Sequence, residues 1–300
     1  MINQTIATKL IKLYDYVCQK YKNELQYHVA RFSNNHSPDF TDEELMTIYL
    51  FAVHQEKRFK LKDIYNFTHT YLLDWFPKLP SYPTFCSRLN RLSEAFRLLT
   101  TGLIQEHKPQ NMNTKNSLID SFPVITCSGK RNPKVATELT DKTYSASKNI
   151  WYHGIKIHVL AFQTAHQMPH AEHIILTKAS EHDLVTMKEN LSFIENRTIF
   201  ADKAYCNKTY AETIFKEQNT KIKTPKKVVK NQSQSLNYFD KAANDLYSKT
   251  VATIRQPIES LFNWLIEKTD IQNASKVRSQ KGLLVHIYGK LAAAFLKFIF

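Results

Sequence analysis

Hydrophobic positions recur with a helical period through the first hundred residues. Residues 1–20 read as an amphipathic helix interrupted by Lys9, Lys12, Asp15 and Lys20, which breaks up any signal-peptide core. Phe40-Thr-Asp-Glu-Glu opens a further helix with a capping box, Thr41 at the N-cap and Glu44 at N3, followed by apolar Leu45, Ile48, Tyr49 and Ala52. Ser81-Tyr-Pro-Thr predicts another helix start, with Pro83 in the first turn. Its stripe is Phe85, Leu89, Leu92 and Phe96, and Arg88, Asn90 and Arg91 fall on other faces. Residues 1–107 are therefore expected to be all-helical, and the polar stretch 108–116, which contains Pro109, to be a linker.

From Ser117 the period changes to that of strands. Leu118-Ile-Asp-Ser-Phe-Pro-Val reads as a first strand, and the polar, basic residues 127–149 as an excursion. Ile155, Ile157 and Val159 alternate with Lys156 and His158, the pattern of a half-exposed strand. His173-Ile-Ile-Leu predicts a third, Thr198-Ile-Phe-Ala a fourth and Lys221-Ile-Lys a short fifth. Between them, Ser180 with Asp183 is expected to cap a helix, Asn207 to cap another, and a long helix to run over roughly 250–268. Three strands without helical crossovers must pair as a meander, so the fold class is α/β, a mixed sheet flanked by helices and preceded by the all-α region. The closing stretch 282–300 is apolar, but Lys290 and Lys297 make it a packing helix rather than a membrane span.

Composition narrows the chemistry. Hydrophobic residues make up 43%, enough for real cores, and five glycines are too few for a Gly-rich phosphate loop. Lys and Arg number 41 against 27 Asp and Glu, a net charge of +14, which draws a protein toward polyanions through counterion release. Cys18, Cys86, Cys127 and Cys206 lie far apart, with no pairing suited to a structural zinc site or a disulfide framework.

Three carboxylates stand out. Asp120 interrupts an apolar strand, where an unpaired charge costs several kcal/mol. Asp202 ends a strand, the place where ligand sites collect in α/β sheets, although capping the next helix would also explain it. Glu259 borders the face formed by Ile254, Ile258, Leu261 and Leu265, and Pro257 would set it in a first helical turn or impose a kink. Acids converging without Cys or His suit Mg²⁺ or Mn²⁺. His153, His158, His182 and His286 show no metal-ligand spacing, and Glu181 and Asp183 read as helix-start residues.

The segments IDSFPV, YHGIKIH, TKASEHD, FADKAY and Arg255-x-x-x-Glu259, in that order over residues 115–300, resemble the successive motifs of bacterial insertion-sequence DDE transposases. The sequence departs from that pattern at Ala252 and Ile266, where Tyr and Lys are frequent in the family. The resemblance implies an RNase H-like catalytic domain over 117–300, shared with retroviral integrases, with Asp120, Asp202 and Glu259 as ligands of two divalent ions. It further implies cleavage at the transposon ends and strand transfer into target DNA by a cytoplasmic, nucleoid-associated homodimer assembled on double-stranded DNA. A metal nuclease of the same fold, or a decayed copy that only binds DNA, are the alternatives. Candidate DNA contacts are Arg255 and Lys203 beside the acids, the basic run Lys221, Lys223, Lys226, Lys227 and Lys230, and Arg88 and Arg91 in a helical DNA-binding or dimerisation region.

Overall fold

The computed structural model describes residues 4–29, 38–109, 112–132, 136–145, 148–164, 167–226 and 234–300. In chain order the helical start comprises α1 (Gln4–Lys20), a π turn, α2 (Gln26–Val29), α3 (Asp42–His54), α4 (Leu61–Tyr71), α5 (Tyr82–Arg91) and α6 (Ser93–Glu106). There follow β1 (Met112–Ser128), β2 (Asp141–Ser145), β3 (Ile150–Thr164), β4 (His170–Lys178), α7 (Asp183–Asn190), β5 (Thr198–Phe200), α8 (Lys208–Gln218) and β6 (Lys221–Lys223). The chain closes with α9 (Gln234–Arg255), α10 (Pro257–Thr269), α11 (Gln280–Leu284) and α12 (Lys290–Phe295). It forms two compact units, one of Met1–His107, Pro133–Glu138 and Leu265–Phe300, the other of Lys108–Asn132 and Leu139–Trp264.

In the helical unit, α3 is buried on every side from Leu45 to Val53, more completely than a one-faced stripe requires. The apolar C-terminus supplies the extra cover. Lys290 to Phe295 are buried, Thr100 Oγ1 donates to the Tyr288 carbonyl at 2.9 Å, and a ring nitrogen of His54 meets the Ala293 carbonyl at 2.8 Å. Residues 265–300 thus pack with the N-terminal helices, although their sequence follows the strand-rich region. The Thr41–Glu44 capping box is formed, and Pro83 lies in the first turn of α5. Among the described residues no helix is long and apolar enough to cross a membrane.

The other unit is built on a sheet in the order β4-β3-β1-β5-β6, with β2 pairing the first half of the same β3 edge whose second half carries β4. β1, β3 and β4 form the antiparallel meander, and β5 and β6 add parallel to β1. That is the mixed sheet expected of an RNase H-like fold. One core cluster joins Ile119 and Leu160 of the sheet to Met187, Leu191 and Ile194 from α7 and the turn after it.

Five expectations are corrected. β1 begins at Met112, inside the segment read as linker, and β2 lies inside the segment read as an excursion; its polar alternation conceals a strand. β3 is buried on both faces rather than half-exposed, because its polar members find partners. Lys156 Nζ reaches the Glu181 carbonyl at 2.7 Å, and His158 meets Thr177 Oγ1 at 2.8 Å. His182 rather than Ser180 caps α7, its ring nitrogen accepting from the Leu184 amide, while Ser180 N–H donates to Asp141. The long helix starts at Gln234, well before residue 250, and breaks at Gln256.

At Gly154 the strands cross closely. A Cβ there would lie 2.0 Å from the Val124 carbonyl oxygen, so backbone must move to admit it. Gly154→Ala is therefore expected to destabilise the strand-rich unit by about 1–3 kcal/mol, the usual cost of overpacking. A urea melt with an unchanged midpoint would contradict this close approach.

Candidate active site

The site starts from the pleat of β1. Ile119 points into the α7 cluster, while Phe122 packs on Phe262 of α10 with ring centroids 4.7 Å apart. Alternation puts Asp120 on the same side as Phe122, toward α9 and α10. The parallel ladder with β5 pairs Ser117 with Ile199 and Leu118 with Phe200. Asp120 and Asp202 each lie two residues beyond the last pair of this ladder, and the Asp202 charge acts on Asp120. Asp202 is the residue before a short 3-10 turn, Lys203–Tyr205, and makes no side-chain capping bond. The helix after it is capped instead by Asn207, whose side chain accepts from the Tyr210 amide at 2.8 Å. A capping role therefore does not account for Asp202.

Arg255 links this pair to Glu259. Its guanidinium forms an ion pair with Asp120 and donates to Glu259 Oε1 at 2.8 Å. The geometry follows from the break between α9 and α10. Pro257 is the first residue of α10, which sets Glu259 in the first turn, where a carboxylate suits the helix dipole. The ladder is nearly continuous across the break, with the Gln256 amide donating to the Ala252 carbonyl at 2.8 Å. Arg255 and Glu259 thus keep the i, i+4 relation needed to meet.

Burial pushes the Asp120 carboxyl up to about 6. Arg255 and the Ser121 amide, 2.9 Å from Oδ1, oppose the shift, and the charges of Asp202 and Asp183 add to it. The buried Tyr205 hydroxyl is pushed well above its ordinary range by burial and by Asp183, Asp120 and Asp202. Three aspartates therefore lie within electrostatic reach of one place. In the sequence Asp183 reads as a helix-start acid, which gives it a ready local explanation. Its side chain instead pairs with Lys156 at 3.0 Å and accepts from Ser121 Oγ at 3.3 Å.

These groups bear on a cation in two ways. Burial keeps the Asp120 carboxyl above its usual range even with Arg255 paired to it, so additional positive charge nearby would favour its ionised form. Among the described residues, however, no three Asp, Glu, His or Cys side chains converge closely enough to enclose a metal ion. Mg²⁺ needs no such cage, because it binds through one or two carboxylates, keeps several waters and takes its remaining ligands from phosphate. Asp120 and Asp202 fit that requirement, with Glu259 tethered beside them through Arg255.

The other candidates are spread more widely. Lys203 is exposed beside Asp202. The ammonium of Lys221 lies 5.5 Å from the Phe215 ring, and those of Lys223 and Lys226 lie 5.9 and 5.8 Å from that of Tyr247. Lys227 and Lys230 fall outside the described residues. Arg88 and Arg91 both pair with the buried Asp42 in the helical unit, so their charge is engaged within that unit. His158 is held down to about 4 by burial, which keeps it a neutral partner of Thr177.

An RNase H-like sheet with one aspartate in the middle of β1 and another just past the end of the adjacent β5, the first tied through Arg255 to an acid on a following helix, defines a class of metal-dependent phosphoryl-transfer domains. Within that class, the family described as Transposase DDE domain matches residues 114–296, more than half of the chain, and the chain belongs to it. No curated protein matches the chain, and no solved structure does. The family acts on DNA and uses divalent metal ions.

Arg255→Ala tests the bridge. Removing its positive charge should push Asp120 further up and free Glu259. The acidic limb of the pH–rate profile for metal-dependent nicking is then expected to move to higher pH, with a rate loss of about 10–100-fold. An unmoved limb would argue against the bridge.

Proposed function

We propose that the chain is a DNA transposase that cleaves at the ends of a mobile element and joins the freed 3′-hydroxyl to target DNA. What supports this reading is that Asp120 and Asp202 each follow the last β1–β5 pair by two residues, together with the Arg255 link to Glu259. Asp120, Asp202 and Glu259 would hold two Mg²⁺ or Mn²⁺ ions. When bound, such a pair stabilises the attacking and leaving oxygens of an in-line displacement at phosphorus.

The chain's own residues do the rest. Asp120 and Asp202 are half-buried, and the Ser121 amide holds one oxygen of Asp120. Arg255 carries positive charge between two acids and orients Glu259. Lys203, Lys221, Lys223 and Lys226 offer ammonium groups for phosphate contacts, which position DNA without reading its sequence. The helical unit serves DNA binding or dimerisation, and two protomers synapse the two ends.

Joining separates this reading from a nuclease of the same fold. Full-length protein, Mg²⁺ and a pre-cut end bearing a 3′-hydroxyl are incubated with a target plasmid. Covalently joined products are expected, and hydrolysis without joining would assign the nuclease instead.

A further inference from the structure

The helical unit contains a cavity of about 480 Å³ that the catalytic reading leaves unused. It lies wholly within that unit, between residues 49–90 and the C-terminal segment 270–286. Its size falls in the range of small-molecule sites, about 300–1,000 Å³. Its chemistry has three parts.

The first is aromatic. Tyr49, Phe59 and Tyr82 line the walls, and Tyr49 is almost fully buried. The second is charge. Lys60, Lys62, Lys276 and Arg278 are exposed lining residues, against a single lining acid, Asp270. Among the described residues none of these four makes an ion pair. Lys62 lies 4.6 Å from the Tyr82 ring centroid, so cation and aromatic face are presented together. The third is an amide. Asn90 lines the cavity half-buried; its side-chain amide makes no hydrogen bond among the described residues and offers both a donor and an acceptor.

Unpaired cations at the mouth call for an anion, aromatic walls for a planar ring, and a free amide for the polar edge of that ring. One ligand class meets all three: a nucleotide, with its base between the rings and its phosphate at the lysines and Arg278. Bases stack on aromatic side chains regardless of sequence, and basic groups beside them follow the backbone. We propose that this cavity binds one unpaired nucleotide. The reading of the chain as a DNA-processing protein enters only in the choice of a DNA strand as the source.

The test uses full-length protein in EDTA, so that no cleavage intervenes and failure of the catalytic reading leaves the result intact. A duplex carrying one unpaired 2-aminopurine is compared with the fully paired duplex by anisotropy and 2-aminopurine emission. The unpaired duplex is expected to bind about tenfold tighter, with quenched emission, as for one stacked base. Tyr82→Leu and the surface pair Lys62→Ala/Arg278→Ala should each remove that preference, and Tyr82→Phe, which keeps the ring, should retain it. Competition by dAMP would show that the pocket takes free nucleotides too, and its absence that the nucleotide must belong to a strand. Equal binding of the two duplexes, or a preference that survives Tyr82→Leu and the double variant, would overturn the proposal.

Discussion

Asp120→Asn is expected to abolish metal-dependent DNA cleavage while making the protein more stable at pH 8. The two effects have one cause. The folded protein holds the Asp120 proton to about pH 6, above the ordinary value of 3.8, because burial and neighbouring acids disfavour the charge. The folded state therefore binds more protons than the unfolded chain across that window. Stability falls as pH rises through it and stays reduced above pH 6. A shift of this size corresponds to roughly 3 kcal/mol, which the amide of Asn would largely restore. The same exchange removes the charge that a cation needs. Loss of an outer-shell partner costs about 10–100-fold, and loss of a direct ligand should cost at least about a thousandfold. Nicking assays and thermal melts at pH 8 on one preparation test both halves. Retained activity, or a lowered melting temperature, would contradict this account of Asp120.

The second large effect lies in the helical unit. Asp42 is 7% exposed and is met by Arg88 at 3.0 Å, by Arg91, and by the Tyr21 hydroxyl at 3.1 Å. Burial by itself would push its carboxyl up, but the hydrogen bonds and charges of Arg91 and Arg88 more than offset this and hold it below its usual range. Its contribution is present above the unfolded carboxylate value and is lost as pH falls through the depressed folded value. Asp42→Ala leaves two guanidinium groups facing each other without a counter-charge. A loss of about 3–5 kcal/mol in urea unfolding at pH 7 is expected, as for a broken buried pair. A loss below about 1 kcal/mol, the scale of an exposed pair, would contradict it.

The sequence made the architecture legible where a local signal coincided with a tertiary one. Thr41 and Glu44 mark a helix start by a capping box that the structure forms. The strand at 198–200 stands out because Ile199 and Phe200 are followed by a polar turn. β2 escaped notice because Asp141, Lys142, Thr143, Tyr144 and Ser145 carry no apolar face; its pairing with β3 alone makes it a strand. β3 seemed half-exposed because Lys156 and His158 alternate with apolar residues, and sequence does not show that Glu181, Asp183 and Thr177 will satisfy them.

The acids follow the same logic. Asp120 declared itself as a charge inside an apolar run, and Asp202 as a strand-end residue. Their approach depends on the β1–β5 pairing, a long-range property that no window of sequence contains. Asp183 was hidden because a helix-start acid has a sufficient local explanation, so its bond to Ser121 and its ion pair with Lys156 could not be anticipated. Arg88 and Arg91 suggested DNA contacts because an arginine's partner lies elsewhere in the chain, here at Asp42.

Titration of the full-length protein with Mn²⁺ by calorimetry at pH 8 addresses the central claim most directly. Wild type is expected to give saturable binding that is lost in the Asp120→Asn/Asp202→Asn double variant, with the fold preserved by circular dichroism. The same isotherm from both proteins would contradict the assignment of these two aspartates as metal ligands.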